Sequence, residues 1–203
     1  HVTGVQTCAL PIFSVCIPAY NRAKLLPPLL DSIFSQDFDN YEVVITEDAS
    51  RERAEIRRVA EDYQQRYPGR LRLIENDKNL GFDGNIRKLV AESHGQYCLF
   101  MGNDDLLAAG AMKTIAGGIT RHPNVGVVLR SYAQFDGEPD NVWQEFRYFP
   151  DERFFPAGGA TAAALYRRSV GICGVVIDRE TALRHATTEH DGTLLYQIYL
   201  VDR

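Results

Sequence analysis

The sequence predicts an α/β fold with a mostly parallel central sheet and helices on both faces. Two observations carry this expectation. From Phe13 onward, short apolar runs rich in β-branched and aromatic residues alternate with longer segments of helical spacing, the order that folds into a covered parallel sheet. The carboxyl ends of these runs open into polar loops, the side on which such sheets bind their ligands. The size fits: 203 residues, 45% hydrophobic and 24% charged, suit one globular domain with at most a small appended part.

Taken in order, "FSVCIP" (13–18) is the first strand-like run. "KLLPPLLDSIFSQ" (24–36) carries helix-spaced leucines, and its paired prolines belong in a first turn, where a missing N–H breaks no helical bond. "YEVVITED" (41–48) reads as a strand, residues 51–67 as a charged helix and "RLRLIEN" (70–76) as a strand. "FDGNIRKLVAESH" (82–94) reads as helix, "QYCLFM" (96–101) as strand, "AAGAMKTIAGGITRH" (108–122) as helix and "VGVVLRSYAQF" (125–135) as strand. Residues 136–170 show no clear period until a final alanine-rich helix. Beyond them lie strand-like "GICGVVI" (171–177), helix-like "RETALR" (179–184) and "TTEHDGTLLYQIYL" (187–200), which ends in a helical pattern.

Composition excludes some functions. A net charge of −5, with no basic run or stripe, argues against a nucleic-acid binder held by phosphate contacts. No stretch of 18 apolar residues offers a membrane span. Cys16, Cys98 and Cys173 lie in apolar runs, Cys8 lies in the leader, and no pair has zinc-ligand spacing. They read as reduced thiols of a cytoplasmic protein. The leader "VTGVQTCALPI" (2–12) has no charged start and too short an apolar stretch for a signal peptide. It resembles the translation of a sequencing-library adapter, so residues 1–12 are expected to be non-native, with a C-terminus that is a truncation edge.

The densest polar signal is "QYCLFMGNDDLLAAG" (96–110), a strand-like run that breaks at Gly102 before Asn103, Asp104 and Asp105. Adjacent carboxylates repel and lose hydration when buried, so they call for water, a helix N-terminus or a cation. A bland reading makes Asp104 or Asp105 the cap of the following helix. The other strand ends, "PAYNR" (18–22), "TEDAS" (46–50) and "ENDKNLGFDGN" (75–85), are also polar. Each alone passes as a turn; four together on one side of a sheet suggest a site.

Together "SVCIPAYNR", "VVITEDAS", "NLGFDGN" and "YCLFMGNDDLL" resemble the nucleotide-sugar half of glycosyltransferase family 2 enzymes. The resemblance covers about residues 13–135, leaving 136–203 as an acceptor-side and catalytic-base half, and it implies a Rossmann-like fold of the GT-A type. It implies that Pro18, Tyr20 and Arg22 border a nucleotide-diphospho-sugar donor and that Asp48 accepts a hydrogen bond from its base. Glu47, Asn79, Gly81, Asn85 and Asn103 join the expected substrate-binding set. The family's Asp-x-Asp falls on Gly102-Asn103-Asp104, so the first carboxylate is missing; Asp104 and Asp105 are the expected contacts to a divalent cation, Mg or Mn. Such a cation reconciles an acidic chain with a diphosphate, since it needs only one or two protein carboxylates when the phosphates supply other ligands. The acceptor would be a saccharide or a lipid-linked saccharide, in cell-surface polysaccharide or lipopolysaccharide synthesis, with peripheral association at the inner membrane face left open.

Inverting transfer needs a base for the acceptor hydroxyl. The acidic cluster Glu189, His190, Asp191 stands where the family carries one, with Asp191 the first choice and Glu189 the second; a helix cap and a solvated charge are the plain alternatives. Trp143, Tyr148 and Phe154 could stack on an acceptor sugar, although local packing is the simpler reading. Two other functions stay open. A nucleotidyltransferase would use a similar sheet and metal but normally shows a glycine-rich basic loop, which "PAYNRAKLL" lacks; a noncatalytic nucleotide- or sugar-binding domain would tolerate Gly102.

Overall fold

The structure, a computed structural model, describes residues 12–202. The expected non-native leader and Cys8 therefore lie outside the described residues, apart from Ile12.

Four strands follow the predicted order: β1 (Phe13–Ala19), β2 (Tyr41–Glu47), β3 (Leu71–Glu75) and β4 (Tyr97–Phe100). They alternate with α1 (Leu26–Phe34), α2 (Arg53–Arg66) and α3 (Gly81–Glu92); α4 (Ala111–Arg121) follows β4. Pro27 and Pro28 sit in the first turn of α1, where their fixed φ suits the helix. β1 pairs in parallel with β2 and β4, and β2 with β3. β5 (Val127–Leu129) and β8 (Val175–Asp178) complete a six-stranded sheet in the order β3-β2-β1-β4-β8-β5, with β8 antiparallel to both neighbours. The two halves read from the sequence thus share one sheet.

Side-chain alternation along β1 feeds two cores. Phe13, Val15, Ile17 and Ala19 pack with Leu29 and Ile33 of α1, Ile56 and Tyr63 of α2, and Met112 and Ile115 of α4. Cys16 points the other way, into a core with Ile86 and Leu89 of α3. That second core also receives Ala182 of α6 (Arg179–Arg184) and Tyr196 and Leu200 of α7 (Tyr196–Val201). Helices therefore cover both faces.

Two boundaries differ from the sequence reading. The run 125–135 divides after Leu129: β5 stays in the main sheet, whereas β6 (Tyr132–Phe135) pairs with β7 (Val142–Phe146) in a separate hairpin. The backbone N–H of Arg130 bonds to Gly174 O at 2.8 Å, and its guanidinium turns inward to the carbonyls of Phe100 and Cys173. These inward bonds take Arg130 out of the alternation the apolar pattern suggested. The helix read from residue 108 starts at Ala111, behind Gly110 at φ 72°, a backbone setting that glycine adopts without a Cβ penalty. The alanine-rich segment is helical over α5 (Gly159–Leu165). Among the described residues, no helix is long and apolar enough to cross a membrane.

The order β3-β2-β1-β4 makes the winding of the sheet reverse between β1 and β4, with β2 and β3 added on one side of β1 and β4 on the other. Such a reversal opens a crevice at the carboxyl ends of the two strands, where the connecting loops leave in opposite directions.

Candidate functional site

The loop after β1 and the loop after β4 meet at that crevice. Asn21 and Arg22 both adopt left-handed backbone, at φ 56° and 59°, a setting that asparagine tolerates and a long side chain such as arginine seldom takes. Arg22 Nη1 lies 2.5 Å from Asp104 Oδ2. Asn103 Nδ2 donates to Asn21 O at 2.9 Å. Three expected site residues, Arg22, Asn103 and Asp104, are thus brought together, with Pro18 half-buried near the end of β1 and the Tyr20 ring 50% exposed beside them.

Asp104 and Asp105 part company. Asp104 faces out, while Asp105 Oδ2 accepts the Gly102 N–H at 2.8 Å, closing a tight turn. Burial pushes the Asp105 carboxyl above its ordinary range; the Gly102 bond opposes this and the charge of Asp104 adds to it. Neither aspartate caps α4, whose first residue is Ala111 behind Gly110, so the capping alternative is overturned. The two carboxylates crowd residue 102: a Cβ on Gly102 would stand 2.7 Å from Asp105 Oδ2 and 3.1 Å from Asp104 Oδ1, so a side chain there would have to displace them. Among the described residues, no group of three or more His, Cys, Asp or Glu is placed to hold a metal ion. The donor set fits a cation carried in on phosphates, with Asp104 as the outward protein oxygen, and it does not form a cage by itself.

A second cluster forms at the carboxyl ends of β2 and β3. Asp48 is only 3% exposed, and its Oδ1 accepts from Leu80 N at 2.7 Å and Asn76 Nδ2 at 2.9 Å. Asn76 Nδ2 also reaches Asn85 Oδ1 at 3.0 Å, and Asn85 Nδ2 donates to Thr46 O at 3.3 Å. Among the described residues Asp48 Oδ2 accepts no hydrogen bond. One carboxylate oxygen is held by the protein and the other is free of such bonds. Asn85 is a buried member of this network, and Asn79 bonds to Gly81 N at 2.7 Å, shaping a turn that needs the φ of 72° at Gly81.

Glu47 is fully buried and shapes the next loop. Its carboxylate accepts from the N–H groups of Ala49 at 3.1 Å and Ser50 at 2.7 Å and from Arg53 Nε at 2.5 Å. Burial alone would raise its pKa; the bonds from Ser50 and Arg53 outweigh that and hold it below the usual carboxylate value. A ligand would reach Glu47 only by displacing these donors. Ala49, at φ 54°, is held between them.

The acidic loop hangs on α3. Asp83, in the first turn of that helix, accepts from Gly192 N at 2.9 Å, Leu194 N at 3.0 Å and Tyr196 N at 3.1 Å. It therefore does the capping that the sequence allowed for Asp191. Asp191 faces Arg87 of α3 with both carboxylate oxygens, one contact measuring 2.8 Å; this hydrogen-bonded guanidinium holds the Asp191 carboxyl below its ordinary value. Glu189 is exposed, and the His190 ring lies against Tyr199 at 4.5 Å. Asp83 and Asn76 were the residues that sequence reasoning missed. Both stand inside the quoted "ENDKNLGFDGN", so the signal was present as polarity at a strand end.

The aromatic segment is mixed in character. Phe154 stacks on His122 at 4.9 Å, and Arg168 lies over Tyr148 at 4.6 Å, whereas Trp143 is 63% exposed. Between this segment, α4 and β6 lies a cavity of ≈ 1230 Å³ lined by Tyr132, Phe149, Phe154 and Phe155 among others.

Comparison with known proteins matches residues 14–176 to the model of glycosyl transferase family 2. Poly(ribitol-phosphate) β-N-acetylglucosaminyltransferase TarS of Staphylococcus aureus is 28% identical over 137 residues, 66% of this chain and 23% of that protein. The crystal structure of S. aureus TarS 1–349 in complex with UDP superposes with a TM-score of 0.68 at 20% identity, covering 92% of this chain and 53% of that one. Mannosyltransferase PcManGT from Pyrobaculum calidifontis, in complex with GDP-Man and Mn2+, gives 0.62 at 19% identity, covering 94% and 51%. These likenesses establish a GT-A fold. The chain spans less than half the length of the curated relatives it matches and about half that of these solved chains.

Proposed function

We propose that this chain, which belongs to glycosyl transferase family 2, carries the donor half of an enzyme that moves a sugar from a nucleotide diphosphate to a hydroxyl acceptor with inversion. The observation that carries this reading is the placement of Asp48, with one carboxylate oxygen free of hydrogen bonds, and outward-facing Asp104 at the carboxyl ends of the parallel strands β2 and β4, on either side of β1. Asp48 Oδ2 accepts an N–H of the nucleobase, and Tyr20 offers an exposed ring beside it. Asp104 is the protein's oxygen for Mg or Mn, with Asp105 bracing the turn from behind. A bound dication offsets the charge that gathers on the diphosphate as the sugar bond breaks. Asp191, oriented by Arg87, takes the proton of the attacking hydroxyl, with Glu189 as the alternative.

The named relatives support the same reading. A neighbour of the same fold is described with UDP and another with GDP-Man and Mn2+. TarS is named for transfer onto poly(ribitol-phosphate), which supports a place in bacterial surface-glycan synthesis. The apolar cavity beside the aromatic segment suits a saccharide or lipid-linked saccharide acceptor.

The test is incubation with a panel of nucleotide sugars with and without Mn2+, following nucleotide release. Nucleoside diphosphate release coupled to sugar transfer is the expected result. Pyrophosphate release would mark a nucleotidyltransferase, and binding without turnover a noncatalytic domain.

A further inference from the structure

We propose that Arg22 is a built-in cation of the donor site: paired with Asp104, it is also a partner for the diphosphate of an incoming donor, and it competes with a divalent ion for the charge of the same carboxylate. This rests on the donor reading above. Arg22 Nη1 lies 2.5 Å from Asp104 Oδ2, and among the described residues neither partner forms another ion pair. The placement is built. Asn21 and Arg22 are consecutive left-handed residues, at φ 56° and 59°, and Asn103, next to Asp104, pins the Asn21 carbonyl at 2.9 Å. A solvated surface pair gains little and would not by itself sustain the disfavoured backbone setting of Arg22. Strain of this kind is retained where the arrangement serves a ligand.

The chemistry follows from the neighbours. Asp105 is drawn inward onto Gly102 N and residue 102 has no side chain, so Asp104 is the outward carboxylate of this turn. A guanidinium is always charged and presents a planar fork that matches phosphate oxygens as well as carboxylate. Arg22 on Oδ2 offsets the charge with which Asp104 attracts a divalent ion, so the pair and the ion oppose each other at this carboxylate. A diphosphate arriving at the β1/β4 crevice offers Arg22 an alternative partner, and its departure from Asp104 leaves that oxygen to the ion. Donor and cation binding are then linked through one side chain, with reciprocal effects on affinity.

The experiment uses the chain in wild-type, R22Q, R22K, D104N and R22Q/D104N forms, each checked by thermal melting. Mn2+ binding to protein alone is read by water-proton relaxation. The expected result is about two- to fivefold tighter Mn2+ binding in R22Q, the range of an exposed ion pair, and no such gain from R22Q in the D104N background. UDP and GDP affinities are read by calorimetry without metal. Whichever nucleotide binds wild type should bind R22Q about tenfold more weakly, as for a lost charged hydrogen bond, with R22K between the two. Equal or weaker Mn2+ binding in R22Q overturns the competition, and unchanged nucleotide affinity overturns the transfer of Arg22 to the diphosphate. If wild type binds neither UDP nor GDP even with Mn2+, the donor reading fails and the diphosphate step falls with it, whereas the Mn2+ comparison still decides whether Arg22 and the ion compete.

Discussion

The Asp83 carboxylate accepts the Tyr196 N–H at 3.1 Å, joining residues 113 positions apart. Together with its bonds to Gly192 and Leu194, this contact hangs the acidic loop on the first turn of the helix that also touches Asp48 through Leu80. Asp83→Ala leaves three backbone donors without their acceptor, one of them buried, and should cost about 1–3 kcal/mol. Denaturant unfolding reads that loss. Sugar transfer should fall further than the folded fraction does, with UDP or GDP affinity held, because the proposed base loses its mooring.

Asp48 is predicted to act through its free oxygen. Asp48→Ala should weaken nucleotide binding by about 1.5–3 kcal/mol, the worth of a charge-assisted hydrogen bond. The same change frees Asn76 and Leu80 N, so thermal melting must accompany the calorimetry. Unchanged nucleotide affinity in a folded variant would remove Asp48 from the site.

Asp104→Asn should raise the Mn2+ concentration needed for half-maximal transfer and cut turnover at limiting Mn2+ by at least about tenfold, since the outward oxygen loses its charge. The exposed pair with Arg22 adds about 0–1 kcal/mol to stability, so melting should barely move. Near-normal activity across a Mn2+ titration would exclude Asp104 as a metal contact.

Glu47 gives a pH dependence of stability. Its folded pKa lies below the ordinary value of 4.5, so its contribution is fully present above that value and is lost as pH falls through the lowered folded pKa. Glu47→Gln should destabilise the chain by about 1.5–3 kcal/mol at neutral pH and flatten the acid limb of its stability curve. A variant whose acid limb overlays that of wild type would show that Glu47 does not govern it.

Asp191 and Glu189 are separated by paired substitutions. Asp191→Asn should leave donor binding intact and slow transfer by about 10²–10⁴-fold, with Glu189→Gln costing far less. Removing the hydrogen-bonded partner with Arg87→Gln lets the Asp191 pKa rise toward its ordinary value, so the acid limb of kcat should move to higher pH. A large loss at Glu189 with little at Asp191 would exchange their roles, and small losses at both would place the base elsewhere.

Periodicity and loop polarity alone determined the alternating strands and helices from Phe13 to Arg121, the two helical layers, and the position of Asp48, Asn103 and Asp104 at the carboxyl ends of their own strands. These are properties of local spacing, since a period of two or of 3.6 residues marks the face each element must bury. Tertiary structure decided the rest. Gly110 takes a left-handed setting that delays α4 and frees Asp104 and Asp105 from capping. Arg130 bonds to carbonyls of β4 and of the turn before β8, and this inward pull splits one apolar run between two sheets. Asp105 turns in because the Gly102 N–H lies within its reach and Asp104 turns out to the Arg22 guanidinium, and Asp83 finds its partners more than a hundred residues away. Adjacent residues of the same type take opposite roles here because hydrogen-bond partners and desolvation belong to the folded neighbourhood, which a local pattern does not contain.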